Sequence, residues 1–235
     1  MACLVPAELD LDALRPEAER NVIRQLLKCL DDDWYIVPKV PVIIDGQNAE
    51  IDVVLVSPHL GVVLLEIKGG LISVRDGVWY QYERPLKKNP FDQVGAAKHR
   101  LIARLHEMHV NLDGFFVSEV VVLPDVGDIP AEGLGPGAPR NRIWGMHDLL
   151  GVLHLIGNIH KEKPPVGKER VLKYLRALCP TVELTEVGGR FHAGAMNRID
   201  AATRLHLDNL VGLADNQQFL VTGGAGTGKT YLAEK

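Results

Sequence analysis

The feature that most constrains the fold is the segment Glu50–Lys68, which reads EIDVVLVSPHLGVVLLEIK. Two continuous apolar runs flank a Ser-Pro-His-Leu-Gly turn, and acidic and basic residues stand only at the outer ends. Apolar runs of this length, bounded by turn residues, are typical of strands that are buried on both faces of a sheet. We therefore predict two buried strands, 51–57 and 61–67, whose charged ends lie at the rim of the sheet.

The surrounding sequence alternates between helical and strand patterns. Apolar residues at helical spacing follow Pro16, and Asn89-Pro90 supplies a helix cap and a first-turn proline. The predicted elements are, in order, helix 16–30, strand 34–44, the two strands above, hairpin 71–75 with 78–82, helix 90–108, strand 115–124, loop 125–140, strand 142–144 and helices 147–157 and 165–178. This order predicts an α/β domain in which helices flank a mixed sheet.

The charged strand ends predict a metal site. In an antiparallel hairpin centred on His59, Asp52 lies directly opposite Glu66, and both side chains point to the same face. Directly opposed side chains have Cβ atoms roughly 5 Å apart, and two carboxylates at that distance need a cation between them. Since Mg²⁺ prefers oxygen ligands, Asp52 and Glu66 are the predicted ligands of Mg²⁺ or Mn²⁺.

Two neighbouring residues complete the predicted site. Lys68 brings an ammonium to the same face, where it can hold a water molecule or offset charge on a phosphate. The carbonyl of Ile67 is a further candidate ligand. This arrangement suits metal-assisted hydrolysis of a phosphodiester. In an alternative reading, Lys68 forms an ordinary cross-strand ion pair with Glu50, which the same register places opposite it.

The spacing of these residues resembles a known signature. An Asp followed, after thirteen residues, by Glu-x-Lys on the next strand resembles the PD-(D/E)xK nucleases, with Ile51 in place of the signature's proline. The order of an acidic helix, EIDVVLVSP, GVVLLEIKG, DGVW and NPFDQ is similar to the nuclease-related domain, NERD, over about residues 16–125. The resemblance implies a restriction-endonuclease-like fold and a nuclease site made by Asp52, Glu66 and Lys68.

The same resemblance adds Glu19 and Gln93 as assisting catalytic residues. Glu19 lies on the apolar stripe of its helix, three residues before Val22, and a carboxylate aimed at the core needs a partner. The alternative for Glu19 is an N-terminal acid that the helix dipole stabilises. The alternative for Gln93 is a simple first-turn residue beside Val94.

A second motif, GGAGTGKT, lies near the end of the sequence and fits the phosphate-binding pattern G-x-x-x-x-G-K-[ST]. A short apolar strand, 219–221, precedes it. Glycines allow backbone N–H groups to face phosphate oxygens, while the lysine reaches the β- and γ-phosphates and the threonine binds Mg²⁺. The predicted ATP-binding residues are Gly223, Gly224, Ala225, Gly226, Thr227, Gly228, Lys229 and Thr230.

The wording VTGGAGTGKT resembles the first motif of superfamily-one helicases over about residues 200–235. The expected organisation is therefore a nuclease-like domain, 1–185, followed by a linker and the start of a P-loop ATPase, 186–235. A strand and a loop do not form an ATPase core, so we expect the chain to be a fragment of a longer protein that combines both domains, or the product of a truncated gene.

Composition narrows the class of protein. The three cysteines lie far apart, which argues against a disulfide framework or a zinc knuckle and favours the cytoplasm. The start lacks a secretory signal, and the apolar runs are too short to span a bilayer. Because the formal net charge is −4, nucleic acid must bind to a local basic patch. One basic group could face a phosphate backbone or could be a solvated helix face: Lys87, Lys88, Lys98, Arg100 and Arg104. A second basic group contains Lys168, Arg170, Lys173 and Arg176.

Three other groups of residues are interpreted as structural. His106 and His109 lack a third metal ligand, and Asp31–Asp33 forms a solvated acidic turn after the first helix. The three tryptophans occur in strand contexts and are predicted core or edge residues. They are Trp34, Trp79 and Trp144.

Taken together, the sequence predicts a metal-dependent nuclease that acts on DNA and is coupled to an ATP-binding, helicase-like motor. An alternative is a module that binds nucleic acid without cleaving it and regulates the ATPase. A third interpretation makes 1–185 a protein-interaction domain.

Overall fold

Two β-sheets organise the described part of the chain, residues 1–44, 46–161 and 163–182 of a computed structural model. A six-stranded mixed sheet has the order β1-β2-β3-β4-β8-β9, and a small antiparallel sheet has the order β5-β6-β7. The strands are β1 (Cys3–Leu4), β2 (Tyr35–Ile44), β3 (Gln47–Ser57), β4 (Gly61–Ile67), β5 (Ile72–Arg75), β6 (Val78–Gln81), β7 (Arg84–Pro85), β8 (Val117–Leu123) and β9 (Ile143–Gly145).

Helices cover both faces of the large sheet. They are α1 (Glu17–Cys29), α2 (Pro90–Glu107), α3 (Val152–Ile159) and α4 (Lys168–Leu178), with 3₁₀ turns at Arg140–Arg142 and His147–Gly151. The odd-numbered residues at the centre of β3 and β4 pack with α1 and α3, and the even-numbered ones pack with α2 and α4. This double covering explains why both strands are apolar without alternation.

The central hairpin has the predicted register. Val53 pairs with Leu65, and Ser57 pairs with Gly61. Gly61 has φ +80°, and a Cβ at this position would lie 2.7 Å from the carbonyl oxygen of Phe116. Because a side chain would both clash and be strained, glycine is the residue that lets the turn pack against the chain entering β8.

The small sheet forms around the predicted Asp76-Gly77 turn. Both residues have positive φ values, +50° and +78°, as a two-residue hairpin turn with matching twist requires. Trp79 on β6 is buried and packs edge-to-face against Phe91 of α2, with ring centroids 6.4 Å apart. This contact fixes the small sheet beside the first turn of α2.

The remaining helices and strands lie close to their predicted ranges, with three differences. The short strands β1 and β7 were not predicted from the sequence, and the predicted helix 147–157 begins as a 3₁₀ turn. In that turn Asp148 accepts hydrogen bonds from Arg140 and from the backbone N–H of Gly145. All three tryptophans are buried, as predicted. None of the helices in the described ranges is long and apolar enough to cross a bilayer.

Candidate metal-dependent active site

An open polar pocket of about 670 Å³ lies where β4 ends. Its walls come from the first turn of α1, from β3, from the segment after β4 and from the end of β6. Glu19, Asp52 and Lys68 line it together with Ile67, so the structure brings four of the predicted site residues to one cavity.

Asp52 is held by the end of the neighbouring strand. The β3–β4 pairing stops at Val53 and Leu65, and the backbone N–H of Ile67 then donates to Asp52 Oδ2 at 2.7 Å. Burial raises the pKa of Asp52, and this hydrogen bond works in the opposite direction. The side chain is therefore fixed at the edge of the pocket, with Oδ1 directed toward other charged groups.

Glu66 is the most deeply buried acid of the site, with 1% of its surface exposed. Its Oε1 atom lies 2.6 Å from the Nζ atom of Lys68. Burial, followed by the negative charge of Asp52, raises the pKa of Glu66 to about 7. The predicted pair of mutually repelling carboxylates is thus present at the end of the hairpin.

Lys68 connects this pocket to a second one. The second pocket, of about 360 Å³, is lined by Lys68, Leu86, Lys87, Lys88 and Gln93. Gln93 on the first turn of α2 therefore shares the second pocket with Lys68, whereas Glu19 lines the first pocket. The structure brings the predicted residues of the nuclease-like site to these two pockets except for Glu66, which is buried behind them and contacts Lys68. The catalytic roles of all of them stay predictions.

Lys39 is the main residue of the site that sequence reasoning missed. Its Nζ atom lies 2.6 Å from Glu19 Oε2, 3.0 Å from Glu50 Oε1 and 4.0 Å from Asp52 Oδ1. A signal was present in the sequence, because Lys39 is the single charge in the apolar strand YIVPKVPVII. Glu19 is 4% exposed, so the core-facing carboxylate has the partner that its burial requires.

The alternative interpretation, a cross-strand ion pair between Glu50 and Lys68, is not found in the described part of the chain. Glu50 contacts Lys39, and Lys68 contacts Glu66. The pairing of β3 with β4 ends at Val53 and Leu65, so the register does not extend to Glu50 and Lys68.

The charges of the cluster fit a divalent cation. Four carboxylates, from Glu19, Glu50, Asp52 and Glu66, meet two ammonium groups, which leaves a formal charge of −2 when all are ionised. Glu19 Oε2 and Glu66 Oε1 are buried, and each has a lysine nearby but no hydrogen bond of regular geometry. Burial also raises the pKa of Glu19, as it does for the other two buried acids. Carboxylate oxygens that carry excess negative charge suit Mg²⁺ or Mn²⁺.

The segment after Lys68 is fixed by three further residues that the sequence did not single out. Gln81 donates to the carbonyl of Gly69 at 2.6 Å, and the backbone N–H of Gly70 donates to Asp125. Gly70 has φ +83°, and a Cβ there would overlap the ring of Tyr82. The two glycines allow the chain to turn under Tyr82 directly after the predicted catalytic lysine.

The other charged residues that the sequence singled out lie on the surface, in ion pairs or at the second pocket. Among the described residues, Asp31–Asp33 is the group of three acids whose oxygen atoms approach within 4.8 Å, and it lies on the surface beside His59. Lys98 pairs with Glu119, and Arg104 pairs with Glu107. Lys87 and Lys88 make no ion pair to any part of the chain that the structure describes, and they face the second pocket.

The predicted ATP-binding loop, Gly223–Thr230, and the predicted boundary at 185 lie outside the described residues.

Comparison with known proteins agrees with this geometry. A mixed sheet flanked by helices is consistent with a nuclease-like α/β domain. Residues 15–124 match the family model described as NERD, the nuclease-related domain. That range runs from just before α1 to just after β8 and contains every residue predicted for the nuclease-like site. Residues 15–124 are therefore similar to nuclease-related domains. No curated protein and no solved structure matches the chain.

Proposed function

We propose that the domain is a nuclease, dependent on Mg²⁺ or Mn²⁺, that hydrolyses phosphodiester bonds of nucleic acid, with DNA as its substrate. The observation that carries the proposal is the cluster of buried carboxylates with excess negative charge, open to a polar pocket beside Lys68. In a protein interior such a cluster is unfavourable unless a cation completes it.

The residues divide the chemistry between them. Asp52 and Glu66 would hold the metal, together with the carbonyl of Ile67, and the bound ion would stabilise charge on the phosphate and lower the pKa of a water molecule. Lys68 keeps about a fifth of its side chain exposed while contacting Glu66. Its ammonium can therefore orient the attacking water or donate to a phosphate oxygen.

Substrate positioning comes from the second pocket. The amide of Gln93 can donate to a phosphate oxygen, and Lys87 and Lys88 supply unpaired positive charge beside it. In the reaction, the oxygen of water bonds to phosphorus, one P–O ester bond breaks, and the leaving oxygen takes up a proton. Glu19 would assist as a further carboxylate beside Asp52 in the first pocket.

Plasmid nicking tests this proposal. We expect the wild-type chain to nick supercoiled DNA in Mg²⁺ and not in EDTA, and we expect Asp52→Asn and Glu66→Gln to reduce the rate at least about 100-fold, as loss of a charge-stabilising group does. Glu107→Gln is the matched control, because Glu107 is a half-exposed acid at the end of α2. Nicking that survives in both site variants would contradict the assignment.

The second candidate is a module that binds nucleic acid without cleaving it. Lys39 favours this candidate, because its ammonium already compensates part of the charge of three acids. The same experiment separates the two functions. DNA binding without metal-dependent nicking supports the binding module.

A second proposed site is the loop Gly223–Thr230, which would bind the phosphates of ATP in a helicase-like motor. Its support is the sequence motif and the strand pattern that precedes it. We expect the full chain to bind ATP with Mg²⁺ in a calorimetric titration and Lys229→Ala to lose that binding. Equal binding by the variant would remove the assignment.

A further inference from the structure

Lys39 adopts a backbone conformation that a strand residue rarely has. Its φ is +54°, although it lies in the middle of β2. Pro38 pairs with Val53 and Val40 pairs with Ile51, so the strand is held in register on both sides of it. A non-glycine residue with positive φ inside a strand costs free energy and persists only where surrounding contacts impose it.

The unusual conformation places the ammonium among the acids. Lys39 lies opposite Asp52 in the β2–β3 register, between the two flanking pairs. Its Nζ atom contacts carboxylates from α1 and β3, namely Glu19, Glu50 and Asp52. In the part of the chain that the structure describes, Lys39 is the ion-pair partner of both Glu19 and Glu50. Although burial opposes its charge, hydrogen bonds from its ammonium to Glu19 and Glu50 raise the pKa of Lys39.

We infer that Lys39 is an internal counter-cation that sets the metal affinity of the site. This inference rests on the proposed function. Its ammonium holds Glu19, Glu50 and Asp52 together when no metal is bound, and it competes with a divalent ion for their negative charge. Lys39 thus neutralises part of the acids' charge in the absence of metal, so the site fills only when the metal concentration is high enough.

The competition follows from the distances. A positive charge 4.0 Å from Asp52 Oδ1 makes the electrostatic potential at that oxygen less negative. If Lys39 instead served to orient the acids as ligands, its loss would weaken metal binding. The two roles therefore predict opposite changes in affinity when the ammonium is removed.

The test is a Mn²⁺ titration of the full chain without nucleotide, followed by electron paramagnetic resonance. Titrating Asp52→Asn in parallel identifies the signal of this site and separates it from surface sites such as Asp31–Asp33. The main variant is Lys39→Gly, because glycine accepts the positive φ without strain. Lys39→Met removes the charge and keeps a side chain of similar length. Lys28→Met, on the exposed side of α1, controls for the change in net charge.

We expect Lys39→Gly to bind Mn²⁺ at the Asp52-dependent site roughly tenfold more tightly than wild type, with Lys28→Met unchanged. Lys39→Met should show the same direction of change, and its melting temperature in EDTA should fall below that of wild type. An unchanged or weaker affinity in Lys39→Gly overturns the inference while leaving the metal site intact. If wild type shows no Asp52-dependent binding, the proposed function and this inference fail together.

Discussion

At the scale of single residues, Glu66 is the acid with the largest change from its ordinary chemistry. Its pKa in the folded protein is about 7, compared with 4.5 for a free side chain, because it is buried beside Asp52. The folded state therefore binds more protons than the unfolded state between these two values. Without metal, the contribution of Glu66 to the free energy of unfolding is therefore fully present below about pH 4.5. This contribution is lost as the pH rises through about 7.

We predict that Glu66→Gln removes this loss. In EDTA, the free energy of unfolding of the variant relative to wild type should rise between pH 5 and pH 8 by on the order of 2 kcal/mol. Urea unfolding at the two pH values measures the difference, with Glu107→Gln as the control. A relative stability that is the same at both pH values would show that Glu66 is an ordinary ionised acid.

At the scale of elements, the central hairpin was predictable and its surroundings were less so. Two apolar runs around one turn fix the register of β3 and β4, because a slip of one residue would exchange the two faces. That register placed Asp52 and Glu66 together at the pocket. The position of Lys39 was not predictable, since it depends on a positive φ within β2 and on acids far away in sequence.

The segment that follows β4, Gly69 and Gly70, holds Lys68 in position. Gly70 and Gly77 have similar positive φ values, +83° and +78°, but a Cβ at Gly70 overlaps Tyr82 while a Cβ at Gly77 has no heavy atom within 4 Å. Replacing either glycine by alanine therefore imposes the same kind of backbone strain, but only the alanine at position 70 also clashes with a side chain.

We predict that Gly70→Ala destabilises the domain more than Gly77→Ala, by about 1–3 kcal/mol, and slows plasmid nicking because Lys68 shifts. Thermal unfolding and nicking assays on the two variants provide the comparison. Equal effects of the two substitutions would mean that Tyr82 yields freely and does not hold the segment in place.

At the scale of the whole molecule, the charged residues that line the first pocket are mainly acidic, whereas those that line the second pocket are lysines. The chain has a net charge of −4, yet the second pocket presents three lysines and Gln93. This local patch was foreseen only in part from the sequence, because Lys98 and Arg104, which belong to the same run, pair with acids. Tertiary packing decides which lysines of the described residues form ion pairs. The sequence gives the number of charges but not these contacts.

We predict that Lys87 and Lys88 contact two phosphates of bound DNA. In EDTA, replacing both by glutamine should reduce the slope of log affinity against log salt by about 2, since each phosphate contact contributes about 0.9. The control replaces Lys28 and Lys161, which are exposed and lie outside both pockets. An unchanged slope would place the phosphate path elsewhere on the surface.

The central claim is that Asp52 and Glu66 hold a divalent metal at the end of the hairpin. Anomalous diffraction from crystals of the chain soaked in Mn²⁺ tests it most directly. The account predicts a peak about 2.1 Å from a carboxylate oxygen of each residue. A peak confined to surface acids such as Asp31–Asp33, with Asp52 and Glu66 bearing no ion at saturating Mn²⁺, would contradict it.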